Sequence, residues 1–154
     1  MIIIDEGLLD QVSAAAASSP RLRRNLNFHR GDDAPSQRLL NALEPGTYVR
    51  PHRHLEEGKE ETMLVVRGRM GILTFGEHGE VLEKVLLEPG DVRGVCIPPD
   101  TFHTVLSLQP GTVFFEAKDG PYRPVSDKEW GGWAPQEGTP EADAYLRLLR
   151  GLFP

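Results

Sequence analysis

Imidazole and carboxylate side chains bind divalent cations at neutral pH, and four of them stand here at spacings one ion could collect. The chain reads Pro51-His52-Arg53-His54, then Glu61 at the head of an apolar run. His103 comes much later, behind the corner Ile97-Pro98-Pro99-Asp100-Thr101-Phe102. Residues two apart on a β-strand share a face, so the rings of His52 and His54 point the same way. A lone histidine is most often a surface or hydrogen-bonded group. A strand pair joined by a third histidine and a carboxylate reads instead as a ligand set for one divalent ion. Fe, Mn, Ni, Co and Zn all suit these donors. Such an ion polarises a carbonyl, lowers the pKa of a bound water or, as iron, engages O₂. Periodicity alone leaves the carboxylate open. Glu61 shares parity with Met63 and Val65, Glu60 shares it with Thr62 and Leu64, and neither face is the polar one.

Parity also puts Tyr48 and Arg50 on the His52 face. Arg50 would hold a carboxylate or phosphate bidentately, or pair with a glutamate at the barrel rim. Tyr48 would donate its hydroxyl to a substrate or move a proton, or pack as a core aromatic. Lys118 and Tyr122, in Lys118-Asp-Gly-Pro-Tyr122, are candidates for the substrate-binding rim, against a solvated strand end. His29 precedes the strands and reads as a hydrogen-bonded loop residue more readily than as a cover for the opening. His78 lies in a Gly-rich turn and takes no role. Trp130 and Trp133 are expected to pack rather than to stack on a sugar.

The elements that must position these residues are short. A helix is expected over 6–18, capped by Asp5, with Leu8, Leu9, Val12, Ala15 and Ala16 at helical spacing. Pro20 would open a short second helix through Arg24, and 30–35 is a loop. From about 37 to 118, apolar runs alternate with turns such as Glu44-Pro-Gly46, Gly76-Glu-His-Gly79 and Glu88-Pro-Gly90. Strands are expected at 37–43, 47–54, 61–66, 69–75, 81–87, 92–97, 102–108 and 112–118. Many short strands with even turns mean a sandwich or barrel. Residues 119–138 are irregular. A closing helix is capped by Thr139, opened by Pro140 and stopped by Gly151.

The chain's 154 residues suit one domain, divided into an N-terminal segment (1–36), a barrel (37–118) and a C-terminal loop and helix (119–154). A net charge of −6 argues against nucleic-acid binding, which needs a basic face. One cysteine, Cys96, forms no intrachain disulfide and is expected as a small buried hydrophobe. The start, Met1-Ile-Ile-Ile-Asp5, lacks a basic segment and a signal-length apolar run, and no run approaches the ~20 apolar residues of a membrane span. A cytoplasmic, membrane-free protein is the expectation.

The segment from Gly46 to Gly68 resembles the first motif of the cupin superfamily: glycine, five residues, His-x-His, a gap, then a glutamate, six residues and a glycine. Counting back from Gly68 selects Glu61. Gly90 to Ser107 resembles the second motif, which delivers its histidine, here His103, from a Pro-x-Gly corner. The His54–Glu61 gap is longer than usual and keeps Glu60 as the alternative. Gly90 lies two residues too far from Pro98, Asp100 replaces the corner glycine, and Ser107 stands where asparagine is usual. Pro51-His-Arg-His54, Val92-Arg-Gly94, Phe115-Glu-Ala-Lys-Asp-Gly-Pro-Tyr122 and Trp133-Ala-Pro135 are similar to the WbuC-type cupin-fold metalloproteins of bacterial polysaccharide gene clusters. The resemblance implies an all-β fold: a single cupin, that is a double-stranded β-helix or jelly-roll barrel, with an N-terminal helix and a short C-terminal helix. It implies one divalent metal ion on His52, His54, Glu61 and His103. It also implies a small-molecule ligand, a sugar or carboxylate, and pairing into a homodimer. The function expected is a small metal-dependent enzyme on a sugar-derived metabolite, an isomerase or epimerase. The alternatives are a non-haem iron dioxygenase and a non-catalytic, metal-anchored binding module.

Overall fold

The structure is a computed structural model and describes residues 1–56 and 58–154. Helix α1 (Glu6–Ala17) is followed by strands β1 (Arg23–Asn27), β2 (Ser36–Leu43), β3 (Glu61–Arg67), β4 (Met70–Phe75), β5 (Val81–Leu87), β6 (Gly94–Ile97), β7 (Phe102–Ser107) and β8 (Thr112–Asp119), then helix α2 (Pro140–Arg150). The strands form a five-stranded sheet ordered β1-β2-β8-β3-β6 and a three-stranded sheet ordered β5-β4-β7. All named pairings are antiparallel.

Alternation along the strands decides what each face meets. Inward residues of both sheets, among them Leu43, Met63, Val65, Met70, Ile72, Val105 and Phe114, form the core between them. The outward face of the large sheet, through Leu40, Ala42 and Val113, is covered by Leu9, Val12 and Ala16 of α1. The outward face of the small sheet, through Leu73, Phe75, Phe102 and Leu106, is covered by Ala142, Leu146 and Leu149 of α2. Each leucine so buried contributes about 1.5–3 kcal/mol. The caps are as expected: Asp5 accepts the Leu8 N–H at 3.0 Å, and Thr139 accepts the Ala142 N–H at 3.2 Å.

Three expectations are corrected. Pro20–Arg24 is not a helix: Leu22 has φ of 54°, and the chain enters β1 at Arg23, where pairing with β2 satisfies its backbone. Residues 47–54 are not a ladder strand. His52 alone makes isolated bridges, to His103 and to Trp130. Pro51 has no N–H to donate, which breaks a ladder at that point. Cys96 is exposed, because it lies on the outward face of β6 beside Thr62, a face that α1 leaves uncovered.

Two turns position the site. Asp100, standing where a glycine was expected, does adopt a left-handed φ of 59°, which aspartate tolerates better than most residues. Its N–H donates to the His54 carbonyl at 2.8 Å, tying the corner before β7 to the histidine segment. Gly68 turns β3 into β4 with φ of 83°, where any Cβ would collide with Thr112.

Candidate metal centre

His52 and His54 approach from the extended segment beside β7, Glu61 opens β3, and His103 is the second residue of β7. Reciprocal hydrogen bonds hold the first and last together: the His52 N–H donates to His103 at 3.1 Å, and the His103 N–H donates to His52 at 2.8 Å. One ligand atom from each of His52, His54, Glu61 and His103 lies within 4.8 Å of all the others. Donors sharing one ion at ~2.1 Å stand roughly 3–4 Å apart, so the group is close to coordination size.

The imidazoles are oriented from behind. His52 Nδ1 sits 3.0 Å from the Arg50 carbonyl and His103 Nδ1 2.8 Å from the Thr101 carbonyl. A carbonyl only accepts, so both Nδ1 atoms carry the proton and both Nε2 atoms present lone pairs inward. His54 Nε2 lies 3.1 Å from Glu61 Oε1. His103 Nε2 and Glu61 Oε2 are 2.9 Å apart, yet both are buried without an aligned hydrogen bond. Two electron-rich atoms facing each other at that distance require a proton or a cation between them. The residues present therefore fit a divalent ion.

Electrostatics follow from burial and neighbours. Burial pushes His52 down to about 3, with His103 adding to the effect. Burial also raises the Glu61 carboxyl, but the adjoining imidazoles of His103 and His54 and the Lys118 ammonium outweigh it and hold it well below the carboxylate range. Burial disfavours a charge on His103, but Glu61 wins and raises it.

Lys118 is not a solvated strand end. It points inward from β8, with Nζ 2.8 Å from Glu61 Oε1 and 2.7 Å from Glu116 Oε1. Asn41 donates to the other Glu116 oxygen at 2.7 Å. Burial, only partly opposed by Lys118, pushes Glu116 above the ordinary carboxylate value. Burial would lower Lys118, but the two carboxylates raise it. Asn41 and Glu116 were not singled out in the sequence. Their signal is inward parity on β2 and β8, legible only once those strands are known to be neighbours.

A cavity of about 160 Å³ opens beside His52, Glu61 and His103, with Arg23, Asn41, Glu116 and Lys118 as its further polar lining. Arg50 turns away from it. Its guanidinium donates to the Ala134 and Gly131 carbonyls at 3.1 and 3.2 Å and lies over the Trp130 ring. The Tyr48 hydroxyl donates to the Pro135 carbonyl at 2.9 Å, and its ring joins the core under α2. Both therefore hold the C-terminal loop, which brings Trp130 against His52. Strand parity does not carry over to them because 47–54 is not paired as a strand. Glu60 is exposed beside Cys96, away from the cage. Tyr122 is half exposed, and its N–H donates to the Asp32 carbonyl at 2.7 Å.

Residues 4–87 match the family described as Domain of unknown function (DUF6016). The chain belongs to the DUF6016 family. No curated protein matches it in sequence. Among solved structures, KdgF from Halomonas sp. is 22% identical with a TM-score of 0.52, over 69% of this chain and 85% of that one. Oxalate oxidase in complex with the substrate analogue glycolate is 13% identical with a TM-score of 0.55, over 71% of this chain and 57% of that one. CapF with the inhibitor 3-isopropenyl-tropolone is 23% identical with a TM-score of 0.53, over 65% of this chain and 28% of that one. The chain thus spans a little over half of oxalate oxidase and about a quarter of CapF. These neighbours have the cupin fold, and this DUF6016 member shares it. No helix among the described residues is long and apolar enough to cross a membrane.

Proposed function

We propose that this protein is a small metal-dependent enzyme that isomerises or epimerises a sugar-derived hydroxy-carbonyl or hydroxy-acid compound. The observation that carries the reading is the buried pair Glu61 Oε2 and His103 Nε2, which lack hydrogen-bond partners beside a cavity that Asn41, Glu116 and Lys118 also line. A bound divalent cation supplies Lewis acidity to a substrate oxygen there. His52, His54, Glu61 and His103 would hold that ion, and the carbonyls of Arg50 and Thr101 would keep two of the rings aimed. Glu116, its carboxyl pushed up by burial, is the group placed to take a proton from carbon next to the polarised oxygen. Lys118 and Asn41 keep Glu116 in position by donating to its two oxygens, and Glu116 would give the proton it takes back to a carbon of the same substrate.

Two neighbours bear on ligand chemistry. Glycolate and a tropolone, the molecules bound to oxalate oxidase and CapF, each present two adjacent oxygens. A cavity of about 160 Å³ suits such a chelating head and is too small for a whole oligosaccharide. The resemblance to WbuC-type proteins supports a compound of bacterial surface-polysaccharide metabolism within this reading.

The test is metal analysis followed by proton exchange. Protein reconstituted with each of Fe(II), Mn(II), Co(II), Ni(II) and Zn(II) is incubated in D₂O with hydroxy-acids and ketose phosphates. The reading expects deuterium to enter carbon next to the carbonyl with at least one metal, and Glu116→Gln to abolish it. Tight metal binding with no exchange for any compound would favour a binding module instead. O₂ uptake by the Fe(II) form would favour an oxygenase.

A further inference from the structure

The metal cavity is not the only concave surface that Lys118 borders. On its other side lies a groove of about 280 Å³, lined by Asn25 and Asn27 of β1, Gln37 of β2, His29, and Tyr122. We infer that this groove is a second subsite, which binds the polyhydroxylated tail of a ligand whose chelating head lies at the metal. The inference rests on the metal reading for the head alone.

The hydrogen bonds already made determine what remains to be offered. His29 is 9% exposed, and the Arg38 N–H donates to its Nδ1 at 3.0 Å. Nδ1 also lies 3.1 Å from the Arg38 carbonyl, so the Arg38 backbone engages this nitrogen in either tautomer and leaves Nε2 to the groove. Among the described residues no hydrogen bond engages Nε2, so a buried ring presents an unpartnered polar atom to the groove, a donor or an acceptor according to the tautomer. Gln37 is 3% exposed, and its amide nitrogen donates to the Ala34 and Asp32 carbonyls at 2.9 and 3.3 Å. Both amide hydrogens are committed, which leaves the Gln37 Oε1 as an acceptor. Asn25 donates to the Asn27 Oδ1 at 2.6 Å, leaving the Asn25 oxygen and the Asn27 amide hydrogens.

The surface therefore alternates donors with acceptors. A hydroxyl group, one donor with two acceptor lone pairs, is the complement of such a surface. An anionic tail fits poorly. The Lys118 ammonium is already shared by Glu61 and Glu116, and Asp32 adds a negative charge at the groove. Tyr122, 49% exposed, offers a flat face for the C–H side of a sugar-like chain. The structure thus separates two tasks: ligands with lone pairs for a cation on one side of Lys118, and neutral amides and imidazole for hydroxyls on the other.

Gluconate and glycolate share an α-hydroxy-carboxylate head, but only gluconate has a hydroxylated tail. They are titrated into the ¹⁵N-labelled, Zn(II)-loaded full chain. Gluconate is expected to bind about tenfold tighter, the worth of one or two net hydrogen bonds. It should also shift the Asn25, Asn27 and Gln37 side-chain amides and the His29 ring nitrogen Nε2, which glycolate leaves in place. Asn27→Ala and Tyr122→Ala alter exposed side chains; they should remove the margin and spare glycolate affinity. Equal affinities, or a margin that survives both variants, would overturn the subsite. Neutral xylitol titrated into metal-free His52→Ala protein separates the two readings. Groove shifts with xylitol support the subsite even where neither acid binds the Zn(II) form, an outcome that breaks only the metal reading. Absence of groove shifts with both xylitol and gluconate overturns the subsite whatever the metal does.

Discussion

The two ends of the barrel interior are built from the same strands and do opposite things. On β3, Glu61 faces the cage, whereas Met63 and Val65 face the apolar core. On β7, His103 faces the cage and Val105 the core. Within two residues the inward face changes from charge to hydrocarbon. At the apolar end many interchangeable contacts fill volume, and no single one has a required geometry. At the polar end each side chain faces named neighbours at fixed distances, so removing one exposes the others. The apolar end supplies rigidity, and the polar end uses it to hold lone pairs close against their mutual repulsion.

Substitutions at the two ends should separate accordingly. The largest effect is expected on metal content: His52→Ala, Glu61→Ala and His103→Ala lose most of the bound ion, while His78→Ala, in an exposed turn, keeps it. Elemental analysis of the purified proteins decides this, and equal content in all four would break the comparison. At the apolar end, Met63→Ala should cost about 2–5 kcal/mol of stability by leaving a cavity, yet the folded protein should still bind metal stoichiometrically. Denaturant unfolding and metal analysis on the same sample check both halves.

Ion binding should in turn stabilise the fold. A free concentration of ~100 times Kd corresponds to about 2.7 kcal/mol, or roughly 5–10 °C in Tm for a domain of this size, reversed by a chelator. An unchanged melting curve would mean that the cage does not discriminate folded from unfolded chain. A smaller loss is expected behind the cage. Lys118→Met removes the ammonium shared by Glu61 and Glu116 and should weaken metal affinity roughly 10–100-fold. Asn41→Ala, one contact further out, should weaken it least. Competition titration with a chromophoric chelator ranks the two.

Much of the fold was legible because it rests on local signals. Alternating apolar runs and Xaa-Pro-Gly turns marked seven of the eight expected strands to within a residue or two, and the caps marked both helices. The failures have a common origin. The short helix expected at Pro20–Arg24 and the strand expected at 47–54 follow from local propensity, whereas pairing with β2 and a missing proline N–H decide them. The same failure misdirected Arg50 and Tyr48, whose assignment depended on strand parity. Residue type makes Cys96 a buried hydrophobe, but its face of the sheet lies beyond the reach of α1.

The order of residues along the chain already determined which groups can ligate and roughly where the turns fall, since donor chemistry and turn preference belong to individual residues. Only the tertiary structure decided which lone pairs meet, that Lys118 lies between two carboxylates, and that Asn41 and Glu116 stand behind the site. Those relations join residues up to 75 positions apart through sheet pairing, and no local pattern encodes such distances.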